Sequence, residues 1–340
     1  LMVGIGVIGY GYWGPNLVRN FFQVDGARVQ MVSDLDRARL DLVASRYPSV
    51  RLTSDAGELI ADPDVDAVCV ATPVGSHYEL ALAALKAGKH VLVEKPMAAT
   101  TEQAEHLREE AAGRGLVLMV DHTFCYMGAV RRIKEIIDSG DLGEVYYYDS
   151  TRVNLGLFQP DVNVIWDLAV HDLSLIHHLL PFTPTAVTCT GKAHVAGHPE
   201  NMASLTLHFD ANAIAHVNVN WLSPVKLRQV LIGGSRKMIV FDDLHSSEKI
   251  RIYDRGITVE ADQEDAYQTM VGYRTGDMWA PQYDQAEALQ VEAAHFLDCV
   301  NGRAEPLTGA DMGADLVRIL EAADRSMRDN GALVPLERRA

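Results

Sequence analysis

The sequence predicts an α/β protein in two parts: an N-terminal doubly wound domain on a parallel sheet, and a C-terminal α/β domain on a large, mostly antiparallel, open-faced sheet. Two observations carry this. The first third alternates short apolar runs with amphipathic stretches, the pattern of parallel strands joined by right-handed helical crossovers. After about Phe124 the runs become long, alternating or β-rich, which is the grammar of antiparallel pairing. A chain of 340 residues has room for two cores. The expected domains are 1–123 and 124–340, with the last helices able to pack back on the first.

The elements follow in order. Val3–Ile8, Arg28–Ser33, Ala67–Ala71, His90–Glu94 and Val117–Asp121 read as buried strands, because each is short and built around apolar, largely β-branched residues. Between them 16–23, 35–46, 76–87 and 101–113 read as helices, and Gly88 supplies a left-handed stop for the third. A helix over 129–139 opens the second part. Strands are expected over 144–153, 186–194, 203–209, 213–221, 227–232 and 237–241, with Asn212 and Gly233-Gly234 as turn residues. A helix from about Trp166 to Leu180 interrupts that series. Two closing helices, 285–301 and 310–329, carry apolar residues at roughly 3.6 spacing. The polar region 260–278 is expected to be a mobile loop. The open sheet face is expected to be apolar enough for self-association as a homodimer or homotetramer.

Composition narrows the function. Apolar residues make up 48% and charged residues 22%, as in soluble globular proteins. No run of about 18 apolar residues is present, and the first residues lack a signal-peptide pattern. A formal net charge of -16 argues against nucleic acid or an anionic membrane as partner, while leaving room for an anionic small molecule in a local basic pocket. Cys69, Cys125, Cys189 and Cys299 show no CxxC spacing, which argues against zinc and for a reduced, cytoplasmic setting. No metal site is expected.

Gly9-Tyr10-Gly11-Tyr12-Trp13-Gly14 follows a strand and opens a helix, the context in which GxGxxG binds a dinucleotide. Gly9 allows the tight turn, Gly11 admits the pyrophosphate, and Gly14 permits close helix–sheet packing. Trp13 either shields the pyrophosphate or simply packs. Asp34, at the end of the second strand, is placed to accept hydrogen bonds from the adenosine ribose and so favours NAD over NADP. It could instead cap the next helix, with Asp36 as competitor, and the nearby Arg37 and Arg39 keep NADP open. Thr72 and Pro73 follow the Ala67–Ala71 strand beside the nicotinamide half; His77 is either a contact there or a packed first-turn residue.

Glu94-Lys95-Pro96 ends a strand facing the same crevice, and Pro96 keeps Lys95 extended and out of helix. An ammonium there can steady an alkoxide. Asp167 and His171 stand at i, i+4 on the 166–180 helix, where a carboxylate can orient an imidazole for proton transfer. Asp172 points elsewhere and reads as a structural contact; His177 and His178 read as fillers. His122, Arg152, Asn154, Asn163 and Trp166 are candidate substrate contacts, although sheet-face polarity explains Arg152 and Asn154 nearly as well.

These residues resemble the Gfo/Idh/MocA oxidoreductase family almost end to end, most specifically in 71–77, 87–96 and 167–172. The resemblance implies a Rossmann domain, a C-terminal domain whose open sheet mediates oligomers, and a catalytic set of Lys95, Asp167 and His171. Residues 9–16 and Asn154-Leu155-Gly156-Leu157-Phe158-Gln159 resemble a subgroup associated with nucleotide-sugar pathways, including UDP-N-acetylglucosamine 3-dehydrogenases. The expectation is an NAD(P)-dependent dehydrogenase of a sugar or nucleotide-sugar hydroxyl. A cyclitol dehydrogenase or ketosugar reductase is the alternative, and a non-catalytic dinucleotide sensor is the alternative of another class.

Overall fold

The computed structural model describes residues 2–156, 162–260 and 270–337; for 257–260 and 270–273 it describes the backbone alone. The chain divides into two compact units, Leu1–Met127 with Ala286–Glu321, and Gly128–Gln285 with Ala322–Ala340.

The first unit is a six-stranded parallel sheet: β1 (Val3–Ile8), β2 (Ala27–Ser33), β3 (Arg51–Thr53), β4 (Ala67–Val70), β5 (His90–Glu94) and β6 (Leu118–Asp121). Its spatial order is β3-β2-β1-β4-β5-β6. Helices α1 (Gly14–Gln23), α2 (Arg37–Arg46), α3 (Ala56–Ala61), α4 (His77–Lys86) and α5 (Thr101–Arg114) make the crossovers. β1 is buried along its whole length, as apolar strands between two helical layers must be. The short β3 and α3 have no counterpart in the sequence expectation.

The second unit opens with α6 (Gly128–Asp138), β7 (Val145–Leu155) and α7 (Val170–Leu179). There follow β8 (Pro184–Lys192), β9 (Met202–Phe209), β10 (Ile214–Asn220), β11 (Leu222–Gly234), β12 (Met238–Asp242) and β13 (Ile250–Tyr253). Then come β14 (Gly256–Glu260), β15 (Met270–Arg274) and β16 (Met278–Trp279). Nine strands form one sheet, β16-β13-β12-β11-β7-β10-β9-β8-β17, where β17 is Val334–Pro335. Within it β7 and β10 pair parallel and the other pairings are antiparallel.

Alternation along β9 and β10 turns Ala203, Leu205, Leu207, Ala215, Val217 and Val219 inward. The opposite face carries Ser204, Thr206, His216 and Asn218 beside exposed Met202 and Ile214. That face is therefore mixed rather than the apolar surface expected. The expected 260–278 loop is corrected as well: β14 and β15 pair antiparallel across it, while 261–269 lie outside the described residues.

Two helices close the chain, α8 (Ala288–Val300) and α9 (Ala310–Arg328). α8 belongs to the first unit, where Leu289, Ala293, Phe296 and Leu297 join the core of Phe21, Leu17 and Val18 on α1. Arg19 and Asn20 of α1 hold Glu287 just ahead of α8. Residues 310–321 of α9 belong to the first unit and the remainder to the second. Among the described residues no helix is long and apolar enough to cross a membrane.

Candidate active site

In the first unit the strand order reverses between β1 and β4, the switch point at which open α/β sheets take ligands beyond their carboxyl strand ends. Gly9, Asp34, Thr72, Lys95 and His122 each follow directly on, or lie just past, the carboxyl end of a strand. Gly9 has φ +95°, and a Cβ there would sit 2.4 Å from the Ala71 carbonyl oxygen. A Cβ on Gly14 would lie 2.1 Å from the Gly9 carbonyl oxygen. Both must be glycine for the turn to close. A Cβ on Gly11 would meet only the Arg39 guanidinium, at 3.4 Å. α1 starts without a side-chain cap and with Pro15 in its first turn, so leading N–H groups have no side-chain acceptor. An open glycine beside an uncapped helix start fits a pyrophosphate.

Asp34 is buried and braces this turn. Its Oδ2 accepts from the Tyr10 backbone N–H at 2.6 Å and its Oδ1 from that of Asp36 at 2.8 Å. Arg39 Nη1 lies 3.4 Å from Oδ2. A carboxylate has about four lone-pair sites, so the brace leaves capacity for a ribose hydroxyl. Capping of α2 falls to Asp36, whose Oδ1 accepts from the Ala38 N–H at 2.9 Å. Tyr12 is 90% exposed on the turn. Trp13 is half-buried, and its indole Nε1 donates to Asp121 Oδ2 at 2.6 Å.

His77, left open between a contact on the nicotinamide side and a packed first-turn residue, acts as an internal brace. It is buried, with Nδ1 2.8 Å from the Pro96 carbonyl oxygen and Nε2 2.7 Å from that of Thr72. The ring thus joins the loop after β4 to the Glu-Lys-Pro turn. Burial holds its pKa below the ordinary imidazole value against the pull of those two carbonyls. Thr72 Oγ1 accepts from Ser76 Oγ at 2.7 Å, and Pro73 is exposed. Lys95 is half-buried at the end of β5, and the peptide joining it to Pro96 is cis.

Glu94 pairs in register with Asp121 on β6. Burial, and then the Asp121 carboxylate beside it, push Glu94 well above the usual carboxylate range. The same two causes act on Glu292 of α8. His122, expected as a substrate or cofactor contact, is buried at 1% exposure just past the end of β6.

In the second unit Asp167 and His171 are half-buried at the start of α7. The chain enters α7 through a π turn, Ile165–Ala169, that contains Asp167. Single π turns of this kind recur at functional sites because they re-aim one side chain. Several contacts hold it. Trp221 Nε1 donates to Asp167 Oδ2 at 3.0 Å. Asn163 Oδ1 accepts from the Ile165 N–H at 3.1 Å. Asp324 of α9 accepts from Asn163 Nδ2 and from Trp166 Nε1, each at 2.8 Å. Burial raises the Asp324 pKa, and those two bonds oppose the rise.

Asn163 and Trp166, expected at the substrate, thus serve the turn. Arg152, a candidate substrate contact, donates from Nε to Asp172 Oδ2 at 2.7 Å, with both side chains below 5% exposure. Burial opposes its charge, but Asp172 keeps the guanidinium above its ordinary pKa. Asn154 is half-buried on β7, and Leu157-Phe158-Gln159 lie outside the described residues. Trp221, Asp324 and Glu292 went unnoticed in the sequence, since no local pattern marks them. Among the described residues no group of three or more His, Cys, Asp or Glu could hold a metal.

Residues 3–122 match the family described as "Oxidoreductase family, NAD-binding Rossmann fold", and residues 130–240 match "GFO/IDH/MocA C-terminal domain". The chain is 29% identical over 245 residues to scyllo-inositol 2-dehydrogenase (NADP(+)) IolW of Bacillus subtilis, covering 68% of this chain and 63% of that protein. It is 25% identical to scyllo-inositol 2-dehydrogenase (NAD(+)) of the same organism, over 99% of this chain and 95% of that protein. A solved structure of UDP-N-acetylglucosamine 3-dehydrogenase GnnA from Acidithiobacillus ferrooxidans shares the fold, with TM-score 0.80, 24% identity, and coverage of 97% and 99%.

Proposed function

The chain belongs to the Gfo/Idh/MocA oxidoreductase family, and from that premise we propose that it is an NAD(P)-dependent dehydrogenase of a sugar or nucleotide-sugar secondary hydroxyl. The observation that carries this reading is the lysine at the carboxyl end of β5 in a sheet whose glycine turn fits a dinucleotide. The pair of Asp167, on a braced π turn, and His171, on the α7 that follows it, supports it.

When bound, the nicotinamide supplies the hydride acceptor, and this chain supplies the charge and proton management. The Gly9–Gly14 turn and the start of α1 hold the pyrophosphate, and Asp34 meets the ribose. His171 takes the hydroxyl proton on a ring nitrogen as the carbinol carbon gives up its hydride. The Lys95 ammonium stabilises the oxygen as negative charge develops there. Asp167, itself held by Trp221, sets the electrostatics beside the imidazole. The reverse reaction, ketone reduction, uses the same groups with His171 as acid.

A cyclitol substrate is the second reading, favoured by the two inositol dehydrogenases among the relatives. Incubation with NAD+ or NADP+ and either inositols or UDP-sugars, followed at the reduced-cofactor absorbance, separates the two. Reduction with UDP-sugars alone supports the nucleotide-sugar reading, and reduction with inositols alone supports the cyclitol one. Tight cofactor binding with no turnover on a broad sugar panel would turn the reading to a dinucleotide sensor. Self-association through the mixed open face of the large sheet is part of the proposal, and light scattering after size exclusion tests it.

A further inference from the structure

The glycine turn has two anchors. At its start Tyr10 is buried in the core and its N–H is held by Asp34. At its end the glycines offer no side chain and Tyr12 is exposed, so the last fastening is the Trp13 indole on Asp121. These residues are 108 apart in sequence, and their strands, β1 and β6, are separated in the sheet by β4 and β5. Asp121 is 2% exposed, and Thr123 Oγ1 donates to its other oxygen at 2.5 Å. Each oxygen of this buried carboxylate thus has a side-chain donor. Its neighbours Glu94 and Glu292 are raised above the usual carboxylate range, by burial first and then by Asp121.

We infer that Trp13 and Asp121 form a clasp that fixes the end of the glycine turn, and with it the first turn of α1, in the shape that receives a dinucleotide. Asp121 is then a positioning residue for cofactor affinity, acting through Trp13. The inference rests on the cofactor reading above.

Two measurements test it. In the cofactor-free protein, hydrogen exchange over residues 9–14 reports the clasp with no ligand present. It should accelerate in Trp13→Phe, which keeps a ring and loses the donor, and in Asp121→Asn, which replaces the carboxylate. Calorimetric titration with NAD+ should then show affinity about ten-fold weaker in Trp13→Phe and weaker to a lesser degree in Asp121→Asn. The double variant should lose no more than the worse single one, because both remove the same bond. Thermal melts confirm that the variants are folded. Unchanged exchange in the two folded variants would overturn the clasp. So would weaker binding in Trp13→Phe alone, which would assign the effect to the ring itself. Accelerated exchange in the two variants, with a parent protein that binds neither NAD+ nor NADP+, would uphold the clasp and reject the cofactor reading.

Discussion

Trp221, the residue after β10, donates its indole N–H to Asp167 at 3.0 Å from a position 1% exposed to solvent. The acid is thereby held from the sheet, on a π turn that Asn163 and Asp324 also brace. Gly156 makes room for this: a Cβ there would lie 2.5 Å from the Trp221 ring. Trp221→Phe should keep the packing and lose the bond. Turnover is expected to fall about ten-fold with little change in cofactor affinity, as for the loss of one hydrogen bond to a charged group. Equal loss in both parameters, measured by steady-state kinetics and NAD+ titration, would point to general damage.

The Arg152–Asp172 pair ties β7 to α7 one residue beyond His171. Arg152→Ala leaves a buried carboxylate without its cation and should cost about 3–5 kcal/mol in urea unfolding. The double variant Arg152→Met with Asp172→Leu should recover much of that loss, because two apolar side chains need no partner. A double variant as unstable as the single would show that packing, not charge, is what the pair provides.

His178 gives a pH signature. Burial first, then the Lys134 charge, lowers its pKa to about 4. The unfolded chain therefore binds this proton more readily than the folded one between pH 6.5 and 4. Stability from this group is fully present above pH 6.5 and lost as pH falls toward 4, on the order of 3 kcal/mol. His178→Gln should flatten that part of the stability profile. A slope identical to the parent's would reject the assignment.

Glu292 has the opposite sign. Its raised pKa means that the unfolded chain releases the proton first as pH rises, so stability declines upward from the usual carboxylate range. Glu292→Gln removes that decline. Its melting temperature should match the parent's near pH 4 and exceed it by several degrees at pH 8. A variant less stable at every pH would contradict this.

Much of the fold was legible because the buried strands have apolar centres: β1 and β5 coincide with Val3–Ile8 and His90–Glu94 as read from the sequence. β3 and α3 were not legible, since three and six residues are too few to show a period. β11 starts at Leu222, not at the expected 227, because Pro224 falls within a register shift that only the paired strand reveals. At the site, the glycine turn was readable from residue type alone. Partners distant in sequence, such as Trp13 with Asp121 and Trp166 with Asp324, leave no local trace. The bonds of Asn163 and Trp166 to Asp324, and of Arg152 to Asp172, could not be foreseen beside their reading as candidate substrate contacts.

The central claim is tested most directly on Lys95. Lys95→Ala, assayed with the best substrate from the sugar and inositol panel, should lose turnover by roughly three orders of magnitude, as when a charge is removed from a developing oxyanion. NAD+ affinity by calorimetry should stay within a few-fold. Turnover close to the parent's, with the variant folded and loaded with cofactor, would contradict the account.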